Sequence, residues 1–413
     1  MIASIAPIAK ALWRRKAGAA LIAAQIALTL AILCNAIGVV ADRLEQSGRR
    51  SGVLESDLFY LQVLTPGYDD DPFGVQRNAE ALLRGVPGVR AATWVNQMPL
   101  GQSGTSSGVS NDGAVRFVGA AHYTAGSSLV QSLGLEVVDG RDFQPGEFGT
   151  MDLRRTREPP SQTKVIVTRA LAERLYPGEP RVVGRAMRLG NDATDPLFEI
   201  IGVVDRLVSP WGRVEWLEGD RWGERGFITP IAVNERELYA VRAEPGRRAE
   251  VQRAAAERLQ QAVPGRILLA SHSQEALRDR RYRAERWLAG MLIVVTAALL
   301  VMTAAGIVGL ASLWVAQRRK QIGVRRALGA RRIDIVSHFL IENVLISGAG
   351  VAVGLTLAVA LNGLLVRWTP LPPLQPAWLA GAALLLPLLG ALAVLGPALR
   401  AARVSPAEAT RSA

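Results

Sequence analysis

The sequence is poor in cysteine, lysine and histidine, and long parts of it carry no charge. Cys34 is the only cysteine in 413 residues, so no intrachain disulfide is available and any domain outside the cell must be held by packing alone. Four lysines occur, Lys10, Lys16, Lys164 and Lys320, and none follows a glycine. A Walker A loop needs Gly-Lys-Ser/Thr so that backbone amides and a lysine cradle phosphates; ATP hydrolysis is therefore not expected from these residues. The three histidines, His122, His272 and His338, are scattered and lack the spacing of zinc ligands, so neither a metal nor a cofactor is expected.

Charge is absent from residues 17–41, 287–317, 343–366 and 368–399. Each run exceeds the roughly 20 residues that a helix rising about 1.5 Å per residue needs to cross about 30 Å of hydrocarbon. The expected fold is an α-helical membrane protein with four transmembrane helices and an α+β domain inserted between the first and second. The expected segments are an N-terminal arm at 1–16, helix one at 17–41, the inserted domain ending in a helical stalk at 42–286 and helix two at 287–317. A loop at 318–336, helix three at 337–366, a short loop at 367–377, helix four at 378–399 and a tail at 400–413 follow. The rival reading makes the first run a cleaved signal peptide, since a basic stretch precedes it and Val39-Val40-Ala41 ends in a small residue. Against it, the run is well beyond the roughly 7–15 apolar residues of such a signal.

A net charge of +12 raises the question of nucleic acid, and its placement answers it. Residues 42–286 hold 33 acidic and 33 basic side chains, while the rest hold 15 basic and 3 acidic. Except for Arg367, those basic residues lie in the arm (Lys10, Arg14, Arg15, Lys16), the loop between helices two and three, and the tail (Arg400, Arg403, Arg411). An excess of Lys and Arg in short loops marks the cytoplasmic side. Both termini are therefore expected inside and residues 42–286 outside, with the lipid bilayer as a partner and no nucleic acid.

Within the inserted domain, alternating or β-rich runs predict strands at 58–64, 89–95, 115–119, 164–168, 198–204, 227–233 and 238–241. Three- and four-residue apolar spacing predicts helices at 73–83, 169–175 and 250–261. The Gly/Ser-dominated stretch 100–113 and the polar stretch 146–163 read as loops. The length suits two lobes without placing their boundary. From Gln274 a charged helical pattern (Arg278, Asp279, Arg280, Arg281, Arg283, Glu285, Arg286) enters the second apolar run without Gly or Pro. It reads as one continuous helix, a stalk able to carry movement outward, or as a helix pair broken near Arg286.

Small residues four apart, Ala305 with Gly309 and Gly350 with Gly354, let helix backbones approach and mark candidate packing positions. Pro387 is a site for a kink. Ionisable side chains are missing deep in the first, second and fourth runs, and Glu342 sits near the inner end of the third. That argues against an ion or proton pathway and requires another energy source.

The loop after helix two interleaves seven basic residues with Ile322, Val324, Leu328 and Ile333, and Gly329 suits a helix C-terminus. Such a segment could lie on anionic lipid, follow the charge rule alone, or dock into a cytoplasmic partner.

Lys320-Gln321-Ile322-Gly323-Val324-Arg325-Arg326-Ala327-Leu328-Gly329-Ala330, followed by Asp334-Ile335 and Phe339-Leu340-Ile341-Glu342, resembles the signature of the FtsX and MacB-like family of ABC transporter permeases. Val86-Pro87-Gly88-Val89, Met98-Pro99-Leu100, Leu133-Gly134-Leu135, Asp139-Gly140-Arg141-Asp142-Phe143, Leu175-Tyr176-Pro177-Gly178 and Ile200-Ile201-Gly202-Val203-Val204 resemble the family's MacB-like periplasmic core. The tail from Pro397 to Ala409 resembles the family's usual ending. The resemblance implies that Arg318, Arg319, Lys320, Gln321, Ile322, Gly323, Arg325, Arg326, Ala327, Leu328, Gly329 and Ala330 form a coupling helix on an ABC ATPase subunit. Many members carry Glu where this chain has Gln321, so any polar contact there is hydrogen-bonded and not ionic. MacB itself has a fused ATPase, whereas here a separate ATPase subunit is implied.

The resemblance further implies a bacterial inner-membrane permease, paired with an identical or different second permease, and allows a periplasmic adaptor or outer-membrane component. ATP-driven motion would reach the periplasmic domain and export a substrate handled outside the membrane. The alternative is an FtsX-like regulator that relays the same motion to an extracytoplasmic hydrolase or signal. A membrane-anchored enzyme would need a catalytic constellation in residues 42–286, and none is expected. Gly104-Thr105-Ser106-Ser107-Gly108 matches the nucleophile-elbow pattern but falls in a Gly/Ser loop, not on a strand-to-helix turn. Asp69-Asp70-Asp71 reads as a solvated turn, since calcium would want further oxygen ligands at alternate positions.

Overall fold

The computed structural model describes residues 16–113, 117–154, 164–192, 194–212, 222–368 and 374–403. In chain order the elements are α1 (Lys16–Gly48), β1 (Leu58–Leu64), α2 (Pro72–Arg84), β2 (Val89–Trp94), β3 (Ser106–Asn111), β4 (Phe117–Thr124), α3 (Leu129–Leu133), β5 (Val137–Gly140), β6 (Gly149–Met151) and β7 (Lys164–Thr168). Then come α4 (Arg169–Leu175), β8 (Ala186–Leu189), β9 (Leu197–Val204), β10 (Gly226–Thr229), β11 (Ile231–Val233), β12 (Glu237–Ala243), α5 (Arg248–Gln261) and β13 (Ile267–Ser273). Four helices finish the chain: α6 (Gln274–Gln317), α7 (Arg319–Ala327), α8 (Arg332–Trp368) and α9 (Pro376–Ala402). Contacts divide the chain into an α+β unit, Gly48–Arg283, and a helical unit built from the segments on either side of it.

The α+β unit has two lobes. In the first, β1, α2, β2, β12, α5 and β13 make a split β-α-β arrangement with strand order β13-β1-β12-β2, every neighbour antiparallel. Alternation along β1 puts Phe59, Leu61 and Val63 on one face, where they join Leu83 of α2, Leu259 of α5, Trp94, Tyr239 and Val241. Asp71, the last of the three consecutive aspartates, caps α2 by accepting from Gly74 N at 2.9 Å, with Pro72 in the first turn. Everything from Val95 to Arg236 is inserted between the third and fourth members of this arrangement, β2 and β12.

The second lobe, held in that insertion, closes on itself. Strands β8, β3, β4, β10, β7 and β9 pair in sequence, and β9 also pairs back with β8, leaving β5 attached outside β9. Closure removes the unpaired edges on which other chains would template. The enclosed core draws Val109, Val118, Val167, Met187, Phe198, Ile200 and Phe227 from all six strands, with Leu171 and Leu175 of α4.

Several expectations change here. Residues 106–111, expected as loop, form β3, because β4 and β8 supply backbone partners on both sides and pairing context outweighs the weak strand preference of Ser and Gly. Phe117, itself half exposed, lays its ring across Gly108 on the neighbouring strand. Stretch 146–163 is not all loop: a short 3-10 turn, Pro145–Glu147, precedes β6, and residues 155–163 lie outside the described residues. The expected strand at 115–119 runs as Phe117–Thr124, with 114–116 outside the described residues. The run 227–233 splits into β10 and β11 around Pro230, which has no N–H for a ladder.

In the helical unit, α1, α6, α8 and α9 are long and apolar enough to cross a membrane. The α6 helix is unbroken over 44 residues, with no interruption near Arg286. Side-chain hydrogen bonds join α1 to two neighbours: Thr29 Oγ1 lies 2.8 Å from Thr303 Oγ1 of α6, and Asn35 Nδ2 donates to Ala358 O of α8 at 3.3 Å. Asn362 of α8 returns a bond to Asn35 Oδ1.

Candidate coupling site

The residues between α6 and α8 form a helix with two unlike faces. Arg318 breaks α6 from α7 with φ −101° and ψ 10°, and its N–H donates to both Trp314 O and Val315 O. The far end is a Schellman motif: Ala330 N donates to Arg325 O, Gly329 N to Arg326 O, and Gly329 takes the left-handed φ of +97° that a side chain resists. Asp334 in the first turn of α8 accepts from Arg331 N at 2.8 Å, closing the loop with a carboxylate at a helix N-terminus.

On the inward face Ile322 is 5% exposed and packs in the core that contains Ile335, Phe339, Ala398 and Ala401; Gly323 is buried beside it. Two of the basic residues turn inward as well. The Arg318 guanidinium makes a bidentate pair with Glu342 of α8 at 2.9 and 3.1 Å. Arg326 Nη1 donates to Ala402 O at the C-terminal end of α9 at 2.8 Å. The outward face holds Arg319, Lys320, Gln321, Val324, Arg325, Ala327 and Leu328, all exposed. Lys320, Val324 and Leu328 follow one another at four-residue steps and so form one stripe. Leu328 is 83% exposed, an apolar side chain raised among cations.

The twelve residues singled out as one coupling segment thus divide between an outward surface and an inward anchor. Sequence reading missed the Arg318–Glu342 pair. The signal was present in a carboxylate at the end of an apolar run, a group that requires a partner.

The four packing candidates also divide. A Cβ at Gly350 would meet Ala23 O at 2.8 Å, and one at Gly354 would meet Leu30 and Ala27 of α1 within about 3.0 Å. Ala305 is exposed and nothing lies within 4 Å of Gly309.

The residues considered for catalysis take structural places. Ser106 is exposed on a regular antiparallel strand, not at a strand-to-helix turn. Its neighbour Ser107 lies 3.3 Å from His122 Nδ1, while His122 Nε2 lies 2.9 Å from Thr229 Oγ1. A hydroxyl on each ring nitrogen, with Phe227 stacked at 4.3 Å, satisfies the imidazole without a carboxylate to raise its basicity. Burial lowers its pKa to about 4. Among the described residues, no group of His, Cys, Asp and Glu is arranged to hold a metal ion.

Residues 293–406 match the FtsX-like permease C-terminal family. Over 276 residues the chain is 26% identical to the macrolide export ATP-binding/permease protein MacB 1 of Yersinia pestis bv. Antiqua, covering 64% of this chain and 40% of that protein. Over 258 residues it is 29% identical to MacB of Rhodospirillum rubrum, covering 59% and 37%. The extracellular domain of the noncanonic ABC-type transporter YknZ from Gram-positive bacteria aligns at 16% identity over 52% of this chain and 100% of that domain, with a TM-score of 0.33. The chain spans about two fifths of the length of the curated relatives it matches. The chain thus carries an FtsX-like permease C-terminal domain at residues 293–406 and is similar to MacB over about three fifths of its length.

Proposed function

We propose that this chain is an ABC-type permease that transmits motion from a separate ATPase subunit, docked on α7, to its α+β domain, and so exports a substrate handled outside the inner membrane. The two-faced α7 carries this reading. Its outward cations and exposed Val324 and Leu328 offer a surface for a cytoplasmic protein, while its inward face is fastened to α8 and α9. Residues 1–413 hold no Gly-Lys pair, so we place ATP hydrolysis outside them. The charge asymmetry supports both termini in the cytoplasm and residues 42–286 in the periplasm. The assembly includes a second permease, and an adaptor or outer-membrane component fits on the periplasmic side.

The polar side chains Thr29, Asn35, Thr303 and Asn362 are engaged in bridging helices, which favours work done outside the bundle over a path through it. The same observation suits a regulator of an extracytoplasmic hydrolase, and the outer partner distinguishes the two.

Affinity purification of the tagged chain from native membranes in mild detergent tests the proposal. An ATPase subunit is expected with the parent and lost from Lys320→Glu, Arg325→Glu, a variant chosen because both side chains are exposed while Arg326 holds α9. A well-folded parent that brings down no ATPase overturns the reading. A co-purifying outer adaptor favours export, and a hydrolase favours the regulator.

A further inference from the structure

Glu342 is the one side chain of the α8 apolar stretch that brings a carboxylate into the bundle core, and it is only 3% exposed. A charge taken out of water persists only with a closely matched partner, and Arg318 supplies two parallel N–H···O bonds to it. A bidentate guanidinium–carboxylate pair fixes orientation as well as distance. We propose that Arg318 and Glu342 are a positioning pair that locks α7 to α8, so that a push on α7 moves α8 and α9 as one body. The proposal rests on the coupling role assigned to α7 above.

The connection to α6 shows why such a lock is needed. Arg318 is the only residue between α6 and α7, and two soft dihedrals at one residue make a pivot. Free to swing there, α7 would absorb force instead of passing it on. The second tether stands at the other end: Arg326, eight residues later in the chain and so about 12 Å along the axis, donates to the terminal carbonyl of Ala402 on α9. A cation at the C-terminal end of a helix is favourably placed. One fastening at each end of a nine-residue helix sets its direction, and Ile322 between them fills the core below. The pair fastens the start of α7 to α8, and Arg326 fastens its end to α9.

The test uses the full chain in lipid nanodiscs, with Cys34 replaced by Ala and spin labels at Val324 on α7 and Val344 on α8, both more than half exposed. Because Val324 lies on the docking face, the width is read without the ATPase, and the labelled parent is shown to keep its ATPase by co-purification before the nucleotide arm is run. Pulsed spin-resonance distances are expected to be narrow in the parent and about twofold broader in Glu342→Gln, because one neutral acceptor cannot hold both guanidinium nitrogens. The exchange Arg318→Glu, Glu342→Arg is expected to restore the narrow distribution. With the co-purified ATPase, ATP and vanadate, the parent distance stays within its own width, and Glu342→Gln shifts while retaining the bound ATPase. Unchanged width in Glu342→Gln, a parent distance that shifts as far as the variant's, or failure of the exchange to rescue overturns the joint. Should Glu342→Gln fail to fold, Arg318→Lys takes its place, since a single ammonium cannot reproduce the fork. A parent without ATPase removes the coupling reading, while the width measurement still judges the pair by itself.

Discussion

In the α+β unit the largest buried side chains are aromatic, among them Trp94, Tyr123, Tyr239, Phe59, Phe198 and Phe227, whereas in the helical unit close approach falls at Gly350, Gly354 and Gly390. Apolar area removed from water stabilises the first. In the second, lipid tails are as apolar as leucine, so helices associate through close packing and hydrogen bonds. Even within the bundle the helices differ: half of the most apolar window of α1 is buried, against 11% for α6. One unit resists change through volume, the other through fit.

This contrast can be broken or sharpened by substitution. The largest effect is expected from Phe198→Ala in the closed barrel, fully enclosed at 1% exposure, which should destabilise the α+β unit by about 3–5 kcal/mol in denaturant unfolding followed by tryptophan fluorescence. Gly354→Leu should cost about 1–3 kcal/mol or more through overpacking against α1, while Gly309→Leu, with open space around it, should stay within about 0.5 kcal/mol; thermal stability by fluorescence-detected gel filtration compares the two. Equal losses at both glycines would remove the distinction between packed and open faces.

Acid provides an effect that reads on one buried group of the α+β unit, His122. His122 stays neutral in the fold down to about pH 4, whereas the unfolded chain protonates it near pH 6.5. The unfolded state therefore binds the extra proton between those values, so stability falls as pH drops through that window and levels off below it. The contribution should be about 1–3 kcal/mol, and His122→Gln should flatten the curve of unfolding free energy against pH between 6.5 and 4. The smallest effect is expected at Thr29→Val, which breaks the bond to Thr303 and should cost about 0.6 kcal/mol, the usual size for a side-chain bond between membrane helices.

Much of this division was legible in the residues. Uncharged runs announced the four long helices, and β1, β7 and α4 fall where periodicity put them, since each alternates or repeats cleanly. The strand β3 was not legible, because Ser106, Ser107 and Gly108 carry no pattern and owe their conformation to β4 and β8. Barrel closure depends on β9 meeting β8 and β7 together, which no local window records. The segment 318–330 was visible as a basic, apolar-spaced run, yet its partition into outward and inward residues needed the positions of Glu342 and Ala402. Likewise Ala305/Gly309 and Gly350/Gly354 share one spacing and differ in what stands opposite.

The placement of the barrel inside the first lobe also orders the events of folding. Among the described residues β1 pairs with β12 and β13 alone, and the buried Thr65–Glu237 contact joins residues 172 positions apart. As the chain leaves the ribosome, β1 waits exposed while the whole barrel is synthesised. Contacts of such long range form late, and domains generally fold as units in the order they emerge. The inserted barrel can therefore complete itself first and act as the template that brings β2 and β12 together, giving β1 its partner. Lesions in the barrel core should accordingly delay maturation of the surrounding lobe, which a pulse-chase protease-resistance assay would register as slower acquisition of the resistant form.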